Sequence, residues 1–159
     1  MPLRRPFGVT FSRPGTNHRA NLQQRVFPVP HNLPIALAIL RYSLSAFLAI
    51  WVVEKFVKPE TTSAIWEAFY LVGGMPEAGS YAIGAIQAVA LLGFVLGVAK
   101  FWSYGFWLVS HGAGTLLTYK ILMTPYEGSH HLFWAAVPVF GAFLTLFLLR
   151  KEDSIGTLS

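Results

Sequence analysis

Four long apolar stretches fill most of the sequence between residues 34 and 149, and charged residues, aromatics, glycine or proline separate them. Each stretch is close to the ~20 residues that a helix needs to cross ~30 Å of hydrocarbon. A helix also satisfies its own backbone hydrogen bonds, as a spanning segment must do in lipid. The pattern therefore predicts an all-α polytopic membrane protein, a four-transmembrane-helix bundle with spans at about residues 34–56, 79–99, 103–123 and 131–149.

The two ends of the chain differ from this apolar domain of residues 34–150. Residues 1–33 contain five arginines, no acidic residue and several prolines. Prolines at that spacing do not allow a long helix, so we expect an irregular, basic N-terminal arm. Residues 151–159 are expected to form a short tail.

The loop between the first two spans contains a segment with helical periodicity. Ile65, Trp66, Phe69 and Tyr70 recur at the spacing of one helix face, while acidic residues stay on the other. Such an amphipathic pattern predicts a short helix in the membrane interface over Thr61–Leu71.

Two further features of the sequence predict local structure, a short hairpin connection and a helix kink. Only Lys100–Trp102 separate the second and third predicted spans, which forces an antiparallel hairpin. Pro138 lies inside the fourth predicted span and removes one backbone hydrogen bond there. We therefore expect a kink near Trp134.

The composition supports a membrane location. Apolar residues make up 54% of the chain and charged residues 12%, against about 25% charged in an ordinary soluble domain. The chain has no cysteine, which excludes disulfides, thiolate nucleophiles and cysteine-ligated metals. The net charge of +5 is expected to set topology and to contact anionic lipid. Nucleic acid is not expected as a partner, because no basic motif with interleaved aromatics is present.

The distribution of lysine and arginine predicts the orientation, because these residues concentrate in short cytoplasmic loops. The arginines of the N-terminal arm, Lys100, Arg150 and Lys151 fall on one side, whereas Lys55, Lys58 and Lys120 fall on the other. Both termini are therefore expected in the cytoplasm.

Five polar residues within or beside the predicted spans are candidate ligand-binding residues, since ionisable groups at membrane depth face the bundle interior or extend to the interface. Arg41 either extends to the headgroups or makes an interior ion pair, hydrogen bond or ligand contact. Lys55 either pairs with Glu54 or contributes to a polar face. The hydroxyls near His111 either line a polar cavity or bond back to their own helix. The five candidates are Arg41, Lys55, Gln87, His111 and Thr115.

Small residues predict close helix packing or subunit contact at Gly84, Gly93, Gly97 and Gly114, and Gly93 and Gly97 form a G-x-x-x-G motif. The tryptophans mostly fall near predicted interfaces, as in an aromatic belt. No second mid-membrane histidine accompanies His111, so neither an intrinsic haem nor a metal is expected, and no catalytic residue is identified.

The first predicted span resembles that of the DoxX-like family of four-helix bacterial inner-membrane proteins. The likeness is carried by the segment Leu40–Phe56, which has an arginine, small residues, aromatics and a terminal lysine, and it extends over about residues 36–150. The resemblance implies a bacterial cytoplasmic membrane and, in some relatives, association with quinone-linked redox enzymes. Residue by residue it covers Arg41, Trp51 and Lys55 only.

Three functional hypotheses follow. The first is a non-catalytic accessory or scaffold subunit of a larger membrane complex, a redox assembly, with other membrane-protein subunits and lipids as partners. The second is a quinone-binding membrane subunit, in which the five polar candidates contact quinone or a lipid within the bundle. The third, a small-solute transporter, is weakened by the absence of a mid-span carboxylate.

Overall fold

The computed structural model describes residues 30–70, 73 and 75–158. The described part is all-α and contains no strand. The basic N-terminal arm predicted for residues 1–33 lies almost wholly outside the described residues. The helices are α1 (Leu33–Val57), α2 (Pro59–Tyr70), α3 (Glu77–Val95), α4 (Lys100–Leu117), α5 (Tyr119–Met123), a 3₁₀ segment (His130–Ala135) and α6 (Ala136–Leu148).

Proline marks the start of three helices. Pro34 lies in the first turn of α1, and Pro59 opens α2, where a missing N–H costs no helical hydrogen bond. Pro76 precedes α3 in extended conformation. Glu60 and Glu77 lie in the first turns of α2 and α3, where a negative charge complements the helix dipole. A helix is thus present as α2 where the sequence predicted one, and its position in a membrane interface stays a prediction.

The end of α3 corrects the second predicted span. The helix stops at Val95 rather than near residue 99, because Gly97 adopts a positive φ of 60° and turns the chain. Ala99 follows with a φ of 46°, and α4 begins at Lys100. A left-handed glycine just past a helix is a common stop signal.

The last two predicted spans are also interrupted. The third consists of α4 and α5, which meet at Thr118. The fourth begins as the 3₁₀ segment and becomes α-helical only at Ala136. This change lies next to Trp134, where the missing N–H of Pro138 was expected to disturb the helix.

The long helices pack in a ring. α1 contacts α3 and α6, and α4 also contacts α3 and α6, while α2 covers one end against α1 and α3. The core of the ring is apolar and aromatic, and its centre consists of Leu44, Leu48, Phe94, Tyr104, Trp107, Phe143 and Leu146.

Three described segments are long and apolar enough to cross a membrane: Leu33–Val57, Glu77–Val95 and His130–Leu148. Their outer faces are apolar too, with Ile50 and Val89 more than 70% exposed. Large apolar surfaces of this kind are typical of contact with lipid or with another protein. α4 is less apolar, because it carries Lys100, Ser110 and His111.

Candidate functional site

A cavity of about 730 Å³ lies between the C-terminal halves of α1 and α4 and the N-terminal halves of α3 and α6. Thr62, Ile65 and Trp66 of α2 line it as well. The walls are mostly apolar and aromatic. Ligand sites in proteins commonly have volumes of about 300–1,000 Å³ and this kind of lining.

Four of the five predicted ligand-binding residues line this cavity. They are Lys55 of α1, Gln87 of α3, and His111 and Thr115 of α4. The fold brings them together because α1 and α4 run in the same direction and α3 runs opposite to both, so residues distant in sequence reach one end of the ring.

The hydroxyls of the third predicted span bond back to their own helix, one of the two alternatives left open by the sequence. Thr115 Oγ1 donates to the His111 carbonyl at 2.8 Å, and Thr118 Oγ1 donates to the Gly114 carbonyl at 3.2 Å. The protons of these hydroxyls are therefore used in hydrogen bonds within α4, and only the oxygen lone pairs can accept a hydrogen bond from a ligand.

The ammonium group of Lys55 already makes one hydrogen bond within α1. Its Nζ donates to the Trp51 carbonyl, one turn earlier, at 3.1 Å. Glu54 also lines the cavity. An ammonium group has three donors, so Lys55 retains further hydrogen-bonding capacity at the α2 end of the cavity.

The orientation of His111 is fixed by a backbone acceptor and by two rings. Its Nε2 lies 3.0 Å from the Ala136 carbonyl, and a carbonyl can only accept, so Nε2 carries the proton. The imidazole packs edge-on against Phe47, with ring centroids 6.2 Å apart, and tilted against Phe143 at 5.4 Å. In the neutral imidazole, Nδ1 is then an acceptor, and no described residue bonds to it.

Two buried polar atoms of cavity-lining residues lack a hydrogen-bond partner among the described residues: Gln87 Oε1 and Trp107 Nε1. Buried polar groups in proteins are normally paired, and leaving one unpaired costs about 1–3 kcal/mol. A bound molecule with both a donor and an acceptor group could pair with these two atoms. Gln87 does not pair with His111, whose hydrogen bond goes to the Ala136 carbonyl.

Trp107 was missed by the sequence argument, which grouped it with the interfacial tryptophans. It is 3% exposed and lies within the core of the ring. The signal was its spacing, because Trp107 precedes His111 by four residues and Thr115 by eight, which places the three on one face of α4.

Arg41, the fifth candidate, lies in a separate cluster near the start of α1. It is completely buried, and its Nε donates to Asp153 Oδ2 at 2.9 Å. Its other nitrogens donate to the carbonyls of Val95 and Ile155. Arg41 thus makes an interior ion pair, one of the alternatives open by sequence, and it does not line the cavity.

The tail completes this second cluster. Tyr104 donates its hydroxyl to Asp153 Oδ2 at 2.7 Å, and Lys100 Nζ donates to the Asp153 carbonyl at 2.8 Å. The amide of Leu158 donates to the Leu96 carbonyl at 3.0 Å. These bonds hold the tail against the α3–α4 turn.

The predicted packing glycines have different roles. A Cβ at Gly84 would come within 2.9 Å of the Phe56 ring, so α1 and α3 approach closely there. A Cβ at Gly93 would lie 3.5 Å from Ser103 of α4. Gly97 differs from the prediction, because it lies beyond α3, against Thr157 of the tail. Gly114 lines the cavity.

No family model, no curated protein and no solved structure matches the chain. The resemblance to the DoxX-like family therefore stays a prediction.

Proposed function

We propose that this protein binds a lipophilic small molecule, with quinone as the favoured class, in the cavity between its long helices. Two independent observations about the same cavity support this proposal. Four of the five polar residues that the sequence singled out as quinone contacts line one apolar cavity, and that cavity also holds an unpaired buried donor and acceptor.

The lining suits a planar ring with carbonyl oxygens. Phe47, Trp51 and Trp66 provide flat apolar surfaces, against which a ring can pack. Trp107 Nε1 and the ammonium of Lys55 are donors for carbonyl oxygens. A ligand of this kind needs few polar contacts, provided that they are placed inside an apolar slot.

We further propose that α4 crosses the membrane, which gives four spans. Its 18 residues extend about 27 Å at 1.5 Å per residue, and it packs between α3 and α6. Its polar side chains contact the cavity or the tail, which accounts for its lower apolar content. We place the protein in a bacterial inner membrane with both termini cytoplasmic, following the lysine and arginine distribution and the first-span resemblance.

The accessory-subunit and transporter hypotheses rank behind ligand binding. Neither explains why polar groups of three helices converge on an apolar cavity. A binding subunit of a redox complex would combine the first two hypotheses, and the partner subunits of such a complex stay a prediction.

The proposal is tested by titrating a short-chain quinone into the protein in lipid nanodiscs. Trp51, Trp66 and Trp107 line the cavity, so bound quinone should quench tryptophan fluorescence in a saturable manner. Ser110→Phe places a ring in the cavity wall and should weaken binding about tenfold or more. Ser43→Phe is the matched control, because Ser43 is exposed on α1 and does not line the cavity. Quenching that fails to saturate, or that is equal in both variants, would contradict the proposal.

A further inference from the structure

We propose that the cavity selects a ligand with a ring hydroxyl, a phenol or a reduced quinone, over the quinone that has the same ring. This inference rests on the proposed function and adds the hydrogen-bonding form of the ligand. It follows from which donors and acceptors the protein leaves unpaired in the cavity.

The fixed donor is Trp107. Its indole N–H can only donate, and Nε1 is buried without a partner among the described residues. A bound molecule that satisfies it must present an oxygen lone pair. Both a carbonyl and a hydroxyl meet this requirement, so Trp107 alone does not discriminate between them.

The fixed acceptor is His111. Its Nε2 proton is directed to the Ala136 carbonyl, which leaves the lone pair of Nδ1 in the neutral ring. Flipping the imidazole would break that bond, and Phe47 and Phe143 pack against the ring. A ligand can pair with Nδ1 only by donating a hydrogen bond to it. A hydroxyl can donate one, and a quinone carbonyl cannot.

One ligand group can bond to both Trp107 and His111 because of their positions on α4. Trp107 and His111 are four residues apart on α4, so their Cβ atoms lie about 5–6 Å apart on one face. A hydroxyl oxygen accepts one hydrogen bond and donates another. It can therefore accept from Trp107 and donate to His111.

Gln87 does not select between the two forms. Its buried Oε1 lacks a partner, but a rotation of the amide exchanges the acceptor for a donor. Gln87 can thus bind either a carbonyl or a hydroxyl on the α3 side. The selectivity depends on His111, because Nε2 is already bonded to the Ala136 carbonyl and the Nδ1 lone pair of the neutral ring accepts.

The test compares three compounds with one ring: the hydroquinone, the quinone and the dimethyl ether of the hydroquinone. Equilibrium dialysis against protein in nanodiscs, without oxygen, gives each affinity relative to empty nanodiscs. We expect the hydroquinone to bind about tenfold tighter than the other two, as one added hydrogen bond supplies. His111→Phe should remove this preference, whereas Trp107→Phe should weaken all three compounds.

The outcomes separate the inference from the proposed function. Equal affinity for hydroquinone and quinone would overturn the inference and leave the proposed function standing. No specific binding of any compound would overturn both. The comparison among compounds uses the unmodified protein, so it decides the matter even if a variant does not fold. Trp102→Phe, at a site 75% exposed, is the control for loss of an indole.

Discussion

Arg41 Nε lies 2.9 Å from Asp153 Oδ2, and neither side chain is exposed. The two residues are 112 positions apart, so the pair joins the first long helix to the tail that follows the last one. Tyr104 donates to the same carboxylate oxygen. An arginine that would otherwise lie unpaired among apolar helices is neutralised, and the tail becomes part of the folded structure.

Removing the charge of Asp153 should destabilise the protein. Asp153→Asn leaves the Arg41 guanidinium buried without a counter-charge, and breaking one side of such a pair costs about 3–5 kcal/mol. Reversible unfolding in mixed micelles measures the loss. Glu152→Gln is the matched control, because Glu152 is exposed and should change stability by less than about 0.5 kcal/mol. Equal stability of the two variants would show that the pair contributes nothing.

Two glycine substitutions should act in opposite directions. Gly97→Ala is expected to cost about 1–2 kcal/mol for the left-handed backbone alone, and the added Cβ would also come within 2.5 Å of Thr157 Cγ2. Gly141 lies inside α6, and a Cβ there meets nothing within 4 Å. Gly141→Ala should therefore stabilise by about 0.5–1 kcal/mol. Thermal unfolding of both variants checks the signs, and a stable Gly97→Ala variant would argue against the turn described for Leu96–Ala99.

Trp107→Phe should reduce quinone affinity about fivefold to tenfold, because an aromatic ring is kept while the buried indole donor is lost. The affinity is measured by equilibrium dialysis, which does not depend on tryptophan fluorescence. Trp102→Phe should leave it unchanged, since Trp102 is 75% exposed and does not line the cavity. An unchanged affinity in Trp107→Phe would mean that the unpaired indole nitrogen has no role in binding.

The proposed orientation can be measured because the natural chain has no cysteine, so any introduced thiol is the only one. Tyr126 is 96% exposed between α5 and the 3₁₀ segment, and Ser154 is exposed in the tail. A membrane-impermeant maleimide should label Tyr126→Cys from outside the cytoplasmic membrane, but Ser154→Cys only after cells are opened. The reverse pattern would place both termini outside.

Much of the helical framework could be predicted from the sequence, because its signals are local. The apolar run and the amphipathic periodicity locate α1 and α2 within a few residues, whereas α6 begins at Ala136, later than predicted. The partner of Arg41 could not be predicted, since Asp153 lies in a short polar tail with no periodicity to place it. Nor could the stop at Gly97, because a G-x-x-x-G spacing looks the same whether the second glycine packs in a helix or ends it.

The residues of the candidate site also differ in whether the sequence alone could identify them. Lys55, Gln87, His111 and Thr115 were found because polar residues among apolar ones are conspicuous in sequence. Trp107 was not, since a tryptophan at a membrane interface and one in a buried wall have the same composition around them. Its four-residue spacing from His111 places it on the polar face of α4, and the packing of α4 against its neighbours shows that it is buried.

Covalent capture of a photoreactive quinone tests ligand binding most directly. The protein in nanodiscs is irradiated with an azidoquinone, and the labelled peptides are identified by mass spectrometry. We expect labels within residues 47–55 of α1 and 107–118 of α4, and their loss when excess unlabelled quinone competes. Labels spread over the outer apolar faces, such as Ile39 and Val89, and insensitive to competition would show that quinone contacts this protein only as a solute of the bilayer.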